Sequence, residues 1–382
     1  MSKITYLDYQ ATTPVDQEVL HAMLPYFSQS YGNPSSSHFY GIEALQVVEE
    51  AKSYVANFLE AKPYEIFFTS GSTEGNNLAL KGVVRKKEAS HIITVSTEHK
   101  SILDVCKQLE TEGHSVTYLK PNPQGLIALE DMRKAINKNT IIISVMYGNN
   151  EIGTIQDIKE IGKIARENNV IFHCDATQGI GYEKIDVTDC GIDILTFSSH
   201  KIYGPKGIGI IFINNKLIDK KFISSEIQGG NQQRNMRSGT YNVPSIVGFS
   251  KAIELVKNNR DDNRINTLNL RHILLEKIMA ETDCILNGSL QCRLPNNINV
   301  SLKGIDGQKF MEMISDRLAI SNGSACNSGS QKPSYVLEAI GVPPNLIQSS
   351  FRISLGRPTT EEEVFECAET MISTYKKLYR IK

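Results

Sequence analysis

The sequence predicts an α/β protein built on a mostly parallel sheet with helices on both faces, joined to a smaller α+β domain. Apolar, strand-like segments alternate with helical segments from residue 65 to residue 213, an alternation typical of parallel sheets. Polar residues directly follow several of these strands, at the end where open α/β sheets form ligand sites. The composition changes after residue 281. We therefore place a large domain at residues 16–255 and a small domain at residues 1–15 together with 256–382.

Composition and charge favour a small-molecule substrate over a nucleic acid or a membrane. The 382 residues are 40% hydrophobic and 22% charged, as in an ordinary globular protein. The 41 basic and 42 acidic side chains nearly cancel, which leaves no strong field for nucleic acid or an anionic membrane. No segment approaches the ~18 apolar residues of a membrane span, and no signal peptide begins the chain, so we expect a cytoplasmic protein.

The seven cysteines are odd in number and include no C-x-x-C pair. This pattern argues against a disulfide framework or a zinc site and favours free thiols in a reducing compartment. We expect no bound metal, and we expect most of the cysteines to be buried as small apolar residues.

The first elements follow from periodicity and turn signals, beginning with a short strand and turn at residues 6–14. A helix is expected at 18–27, followed by a polar loop at 31–38 that is either a connection or a binding loop. Residues 41–59 carry an apolar helical face. Further strands are expected at 65–69, 92–96, 115–119, 140–147, 170–174, 192–197 and 209–213, with helices ending near 85 and at 101–112, 129–136 and 157–168.

The carboxyl-terminal third begins with a loop-like segment at 228–242. A long helix is expected from about 245 to 281, with a break near Asn258 and Asn259. For the small domain we expect strands at 298–302 and 351–355 and helices at 307–318 and 361–379.

A turn of small polar residues at 70–77 connects one strand to the next helix. Ser72 and Thr73 lie at that helix start, where free backbone amides, hydroxyls and the positive end of the helix dipole can hold an anion. The turn matches neither a nucleotide P-loop nor a G-x-G-x-x-G motif. Taken alone, it is equally well interpreted as a plain capped helix.

A second polar cluster, Ser198-Ser199-His200-Lys201, ends the apolar segment 192–197. Lys201 is well placed to form a Schiff base, because burial near other cations can free its amine. Ser198 and His200 suit an anionic group such as a phosphate. Taken alone, the cluster is more simply a surface turn with an incidental lysine.

Four more polar side chains lie just past strand ends: His99, Asn149, Asp175 and Gln178. Asp175 can pair with a ring nitrogen and keep it protonated, which makes a pyridinium an electron sink. His99 can stack on such a ring or move a proton, while Gln178 and Asn149 can bond a ring hydroxyl. Each has a structural alternative as a cap or a buried polar group. Together with Lys201 they favour pyridoxal 5'-phosphate as the cofactor.

The sequence also resembles a known family in blocks that run nearly from end to end. It is similar to the cysteine desulfurases of the NifS and IscS type, within the class V aminotransferases. The matching blocks are LDYQATTP (7–14), GNPS (32–35), FTSGSTE (68–74), TEHK (97–100), NNEIG (149–153), DATQ (175–178), SHKIYGPKG (199–207) and RSGT (237–240).

This resemblance implies the fold type I of pyridoxal-phosphate enzymes, with a seven-stranded sheet in the large domain. It assigns the cofactor's Schiff base to Lys201, the partner of the pyridine nitrogen to Asp175 and stacking on the ring to His99. It also implies a homodimer in which Thr240 reaches the phosphate in the neighbouring subunit.

Cys326 lies in a stretch rich in Gly, Ser and Asn (321–330), which we expect to be mobile and exposed. Such a thiol is the reactive candidate, with a cysteine of no catalytic role as the alternative. By the resemblance it corresponds to the persulfide cysteine of the longer-loop group, although Asn322 and Asn327 depart from that group's block. The block 320–326 also resembles the desulfurases of DNA phosphorothioation.

Arg352 is expected to open a strand near the site, where its planar guanidinium suits a substrate carboxylate. Asn33 and Asn149 are expected to assist it. Arg357 is the alternative anchor, for which a structural role is the stronger expectation.

The expected reaction converts L-cysteine to L-alanine and leaves a persulfide on Cys326 for an acceptor protein. That acceptor would serve iron–sulfur assembly, tRNA thiolation or DNA phosphorothioation. The chain stops at Lys382 without the longer tail that docks iron–sulfur scaffolds in relatives, which weakens the first of these roles. An aminotransferase, a selenocysteine lyase and a non-catalytic sulfur relay remain alternatives.

Overall fold

The computed structural model describes residues 4–85, 89–322 and 333–380. Its strands are β1 (Thr5–Tyr6), β2 (Ile66–Thr69), β3 (His91–Val95), β4 (Ser115–Leu119), β5 (Thr140–Ser144), β6 (Ile171–Asp175), β7 (Ile194–Ser198), β8 (Gly209–Ile213), β9 (Cys284–Leu286), β10 (Asn297–Leu302), β11 (Leu318–Ala319), β12 (Ser321–Asn322) and β13 (Ser350–Ser354).

Its helices are α1 (Gln17–Met23), α2 (Pro25–Ser28), α3 (Phe39–Leu59), α4 (Ser72–Val84), α5 (Lys100–Thr111), α6 (Leu129–Ala135), α7 (Ile158–Glu167), α8 (Asn215–Asp219), α9 (Val243–Glu281), α10 (Gly307–Ile314), α11 (Tyr335–Ala339), α12 (Pro344–Ile347) and α13 (Glu361–Arg380).

A seven-stranded sheet in the order β2-β8-β7-β6-β5-β3-β4 forms the centre of the large domain. Strands β3 to β7 pair in parallel, and β8 is antiparallel to both β2 and β7. Because β8 is the one reversed strand of this sheet, β2 and β7 run in the same direction. Their carboxyl ends therefore meet at the edge where β3, β5 and β6 also end. The expected mostly parallel seven-stranded sheet is confirmed.

Neighbouring residues on each strand point to opposite faces of this sheet. Phe68 and Ile93 join the core under α3, α7 and α9, whereas Phe67 and Ile92 join the core under α4 and α5. The sheet is thus covered by helices on both faces, which explains why its central strands are buried and mostly apolar.

The smaller unit is built on the antiparallel sheet β12-β13-β10-β9, with α10 and α13 packed on it. Its own core includes Phe310, Phe351 and Met371, together with Leu7 from the amino-terminal segment. The amino terminus is held there because β1 pairs in parallel with β11.

The break expected near Asn258 and Asn259 is wrong, because α9 is one continuous helix of 39 residues. Its first half packs on the large core through residues such as Phe249, and its second half packs on the small core through residues such as Leu274. Packing at both ends outweighs the low helix propensity of the two asparagines. The division placed at 255/256 falls inside this helix.

The helix expected at 307–318 is also wrong at its end, because α10 stops at Ile314. The following residues supply Leu318 and Ala319 to β11, where they pair with Thr5 and Tyr6. A tertiary pairing with the other end of the chain therefore ends the helix. No local sequence signal predicts this end of α10.

Three of the cysteines in the described part of the chain are buried: Cys106, Cys174 and Cys367. Cys190 and Cys284 are partly buried and Cys292 is exposed, all of them as free thiols. Within the residues described above, no helix is both long and apolar enough to cross a membrane. The same residues contain no group of three or more His, Cys, Asp or Glu side chains suited to a metal ion.

Candidate active site

A cavity of about 730 Å³ opens at the carboxyl edge of the seven-stranded sheet, beside the small domain. The ends of β6 and β7 and the start of α4 form one wall. Residues 8–12 of the amino-terminal segment and Arg352 of β13 form another. The cavity therefore lies between the seven-stranded sheet, the strands β12 and β13 of the antiparallel sheet and the amino-terminal segment.

Nine residues singled out from the sequence line this cavity. They are Ser72, Thr73, His99, Asp175, Gln178, Ser198, His200, Lys201 and Arg352.

The start of α4 forms the anion-binding corner of the cavity. The backbone N–H of Ser72 donates to Ser198 Oγ at 2.7 Å, and the Ser198 hydroxyl lies 2.9 Å from Ser72 Oγ. Helix α4 is 13 residues long, so its dipole and free amides attract a negative group at this corner.

A glycine allows the two strand ends to come this close. Thr69 of β2 and Ser198 of β7 both pair in register with Gly209 of β8. A Cβ on Gly209 would lie 2.6 Å from the Phe197 carbonyl oxygen and 2.8 Å from the Gly71 Cα. Since real Cβ atoms do not approach so closely, any larger residue would push the corner apart.

Lys201 lies just past β7, with its amine held by the amino-terminal segment. Its Nζ donates to the carbonyl oxygens of Gln10 at 2.6 Å and Ala11 at 2.8 Å. The Gln178 side chain donates to the same Gln10 oxygen at 3.2 Å. The amino-terminal segment thus helps to set the position of the amine in the cavity wall.

His200 lies next to Lys201 and is a neutral imidazole near pH 7. Burial, reinforced by the charges of Lys201 and Lys206, lowers the pKa of His200 to about 4. Its Nδ1 lies 3.1 Å from Thr12 Oγ1. His200 can therefore offer an N–H to an anion but not a positive charge.

Asp175 is the last residue of β6 and is only 6% exposed. Its Oδ1 accepts the backbone N–H of Thr177 at 3.0 Å, and its Oδ2 accepts from Asn76 Nδ2 at 2.7 Å. A buried carboxylate fixed in this way suits a protonated ring nitrogen in the cavity.

His99 caps the amino end of α5 and lines the same wall. Its Nδ1 accepts the backbone N–H of Ser101 at 3.1 Å, so the neutral ring carries its proton on Nε2. Burial lowers the pKa of His99, and the charge of Asp175 opposes that shift. The side chain is therefore a neutral imidazole near pH 7.

Arg352 is 5% exposed and is held by three acceptors. It donates to Asp8 Oδ1 at 2.7 Å, to the Asn150 carbonyl oxygen at 2.8 Å and to Ser321 Oγ at 3.1 Å. Arg357 lies elsewhere: it pairs with Asp16 and stacks at 4.4 Å on a tyrosine ring, and it does not line the cavity.

Three of the expected site residues lie away from the cavity lining. Asn149 is buried, donates to the Thr97 carbonyl oxygen at 2.9 Å and accepts two backbone N–H groups, which shape the turn after β5. Asn33 and Thr240 are exposed. Cys326, Asn327 and most of the stretch around them lie outside the described residues.

Several lining residues were not singled out from the sequence. They are chiefly Asp8, Gln10, Thr12, Asn150, Thr177 and Ser321. Most of them fall inside the polar blocks 7–14, 149–153 and 175–178. The signal was therefore present in those blocks, but periodicity does not tell which polar neighbour faces the cavity.

Four buried polar atoms of lining residues have no hydrogen-bond partner within the described part of the chain. They are Gln10 Nε2, Asn150 Oδ1, Thr177 Oγ1 and Arg352 Nε. Unpaired buried polar groups are costly, so their concentration in one cavity indicates a polar ligand. The anion corner, the Asp175 carboxylate and the Lys201 amine together fit the phosphate, ring nitrogen and aldehyde of pyridoxal phosphate.

Comparison with known proteins finds similar sequences along nearly the whole chain. The model of the family Aminotransferase class-V matches residues 5–366. A cysteine desulfurase IscS of Neisseria meningitidis serogroup C is 45% identical over 376 residues, covering 98% of this chain and 92% of that protein.

Solved structures agree in fold. A NifS-like protein superposes with a TM-score of 0.89 at 35% identity, over 99% of both chains. A structure of SspA in complex with cysteine superposes with a TM-score of 0.83 at 38% identity, over 93% of this chain and 100% of that one.

Proposed function

The chain belongs to the aminotransferase class-V family, and we propose that it is a pyridoxal-phosphate cysteine desulfurase. It removes the sulfur of L-cysteine and releases L-alanine. The observation that carries this proposal is the cavity in which Lys201, Asp175 and the anion corner of α4 meet. Support comes from relatives named cysteine desulfurase and from a structural neighbour that holds cysteine.

Pyridoxal phosphate bound at Lys201 supplies the electron sink that weakens the bonds at Cα and Cβ of the substrate. Ser72, Ser198 and His200 hold its phosphate, and Asp175 keeps its ring nitrogen protonated. Lys201 moves the proton at Cα, because its amine lies at the cavity wall. The neutral His99 assists at the substrate thiol through its Nε2–H.

Arg352 binds the substrate carboxylate in this proposal. Its unpaired Nε provides a charged donor at the cavity wall, while Asp8, Asn150 and Ser321 hold the rest of the guanidinium in place. Asn149 acts indirectly, because it fixes the turn that places the Asn150 carbonyl oxygen against Arg352.

The Cys326 thiolate attacks the substrate sulfur. A sulfur–sulfur bond forms as the Cβ–S bond breaks, and Cβ is protonated to give alanine. The start of the stretch that holds Cys326 reaches the site, because Ser321 lines the cavity and accepts from Arg352. The persulfide then passes to an acceptor protein thiol in the cytoplasm.

We propose a homodimer as the working form. Large apolar side chains are exposed on α1, α2, α3 and the loop before α3, with Phe39 74% exposed and Tyr31 69% exposed. The rings of Tyr31, Phe39 and Tyr40 pack on one another at this face. Such a cluster of exposed apolar side chains supports a protein–protein contact. Light scattering of the purified protein, which measures the mass of the particle in solution, tests whether it is a dimer.

The decisive experiment measures alanine and persulfide from L-cysteine with the wild type, Lys201→Ala and Cys326→Ala. Both variants are expected to lose persulfide delivery, and borohydride reduction with peptide mapping should find the cofactor on Lys201. Alanine formation that requires a 2-oxo acid would identify an aminotransferase instead. Faster turnover of selenocysteine with no persulfide would identify a selenocysteine lyase.

The acceptor belongs to iron–sulfur assembly, tRNA thiolation or DNA phosphorothioation. A mixed disulfide trapped on Cys326 in a lysate of the source cell, followed by mass spectrometry, distinguishes these three systems. Direct transfer of sulfur to nucleic acid without a protein acceptor would contradict the proposal.

A further inference from the structure

A fully buried amide, Asn76, connects two titratable groups of the cavity, Asp175 and His99. Asn76 lies on α4 and is 0% exposed. Its Nδ2 donates to Asp175 Oδ2 at 2.7 Å and to Ser101 Oγ at 2.8 Å. Ser101 Oγ in turn lies 2.8 Å from Nδ1 of His99.

The direction of each hydrogen bond in this chain can be assigned. An amide oxygen would repel the Asp175 carboxylate, so the amino group of Asn76 must face Asp175 and Ser101. Its oxygen then accepts from the Thr196 hydroxyl at 2.5 Å. Since Ser101 Oγ accepts from Asn76, its own hydrogen is donated to His99 Nδ1.

The chain continues behind Asn76 to another buried histidine. Nε2 of His173 lies 3.3 Å from Thr196 Oγ1, and its Nδ1 lies 2.9 Å from Ser144 Oγ. Burial lowers the pKa of His173 to about 4, so this ring is neutral. Because Thr196 gives its hydrogen to Asn76, His173 must donate from Nε2 and accept at Nδ1.

We propose that Asn76 is a positioning residue that aligns the Asp175 carboxylate and, through Ser101, directs a second donor at His99 Nδ1, beside the Ser101 backbone N–H that already holds the ring as its Nε2–H tautomer. This inference rests on the roles proposed above for Asp175 and His99 and deepens them. The amide is the suitable group here because it gives two donors and one acceptor without adding a charge beside Asp175.

The charged groups that act on His99 are Asp175, Lys201, Lys100 and Asp104. Ser101→Ala removes none of these charges and leaves the hydrogen bond between Asn76 and Asp175 in place, whereas Asn76→Ala also removes a donor to Asp175. Loss of a donor to Nδ1 makes that nitrogen easier to protonate, so the pKa of His99 rises. A purely structural role of Asn76 would lower stability or activity without this effect.

The test uses cofactor-loaded protein with ¹⁵N-labelled histidine, in which a His99→Gln spectrum identifies the His99 signals. Wild type and the matched control Ser101→Thr, which keeps the hydroxyl, should show the Nε2–H tautomer. In Ser101→Ala and Asn76→Ala the backbone N–H of residue 101 still keeps the Nε2–H tautomer, and we expect a His99 pKa higher by about one unit, a tenfold gain in proton affinity.

Ser101→Ala is a small change at the first turn of α5 and keeps the test open if Asn76→Ala does not fold. A wild-type His99 pKa in Ser101→Ala, or the same shift in Ser101→Thr, would overturn the proposal. The measurement reports on His99 whether or not the protein desulfurates cysteine. Failure of the proposed function is therefore seen separately, in the wild type's alanine release.

Discussion

Asp8 and Arg352, 344 positions apart in the chain, form an ion pair of 2.7 Å in the cavity wall. The cation proposed for the substrate carboxylate therefore already has a carboxylate partner within the chain itself. The pair balances the charge of a buried guanidinium and holds its plane, so that binding requires little reorganisation.

Replacing Arg352 by Lys tests this arrangement. A lysine keeps the charge but cannot reach Asp8, the Asn150 carbonyl and Ser321 at once, because it lacks the planar fork. We expect KM for L-cysteine to rise about 10- to 100-fold, the range for a hydrogen bond to a charged group, with a smaller change in kcat.

Arg357→Lys is the matched control, since Arg357 pairs with Asp16 outside the cavity lining. Its KM should stay within about threefold of wild type, the scatter expected for a partly exposed pair. Equal effects of the two substitutions on KM would reject Arg352 as the anchor.

Glu98 is a buried carboxyl group that should make stability depend on pH. Its Oε1 accepts the backbone N–H of Met146 at 2.7 Å, whereas its Oε2 has no partner within the described residues. Burial raises the pKa of Glu98 well above its ordinary value, and the charge of Asp175 adds to the shift. The folded protein therefore keeps this proton at pH values where the unfolded chain releases it.

Stability from such a group is fully present below pH 4.5 and is lost as pH rises towards the folded-state pKa. Glu98→Gln keeps the shape and removes the titration. Its free energy of unfolding in urea should match that of the wild type near pH 4.5 and exceed it by about 1–3 kcal/mol at pH 8. The exposed Glu130→Gln serves as control, and a difference that does not grow with pH would contradict the prediction.

Sequence patterns predicted the strands and helices around the site well. They did not predict which side chains support the site residues. Lys201 and Asp175 could be predicted because each lies at or just past the end of an apolar strand, and such a strand is recognisable in the local sequence. Asn76, Ser101 and Asp175 meet only because the order of strands in the sheet brings α4 against β6 and α5 against α4. No periodicity in the chain contains that information.

The misjudged elements have the same cause. The asparagines of α9 are weak helix formers, but two separate cores hold that helix on either side of them. Asn149 was expected at the ligand and instead shapes a turn, while its neighbour Asn150 faces the cavity. Local residue preferences do not decide between such neighbours; the fold does.

Gly209→Ala is expected to weaken cofactor binding indirectly, although the new side chain would not contact the cofactor. The new Cβ would press on the Gly71 Cα and the Phe197 carbonyl oxygen, moving the start of α4 away from Ser198. Overpacking of this kind costs about 1–3 kcal/mol, so the dissociation constant for pyridoxal phosphate should rise roughly 5- to 100-fold.

Titration of the apoprotein, followed by absorbance, gives that constant for Gly209→Ala. Ser72→Ala in the same corner shows what loss of one hydroxyl costs. A Gly209→Ala protein with wild-type affinity and stability would show that the strand ends can separate without harm, against the account of the anion corner given above.

Thr240 offers a test of the shared site, because its loop is fastened to its own subunit while Thr240 itself is exposed. Gln233 of that loop exchanges two hydrogen bonds with the backbone of Phe68, and Arg237 pairs with Glu74 of α4 at 2.9 Å. We therefore expect Thr240 to serve the partner's cofactor phosphate, which two kinds of mixed dimer can test.

In the first dimer one chain carries Lys201→Ala and the other Thr240→Ala; in the second, one chain carries both changes and the other none. If Thr240 acts across the interface, the first dimer keeps one complete site, and cofactor fixed to Lys201 by borohydride shows wild-type affinity. The second dimer should bind about 10- to 100-fold more weakly, the cost of one hydrogen bond to a charged phosphate. The opposite ranking would place Thr240 in its own chain's site.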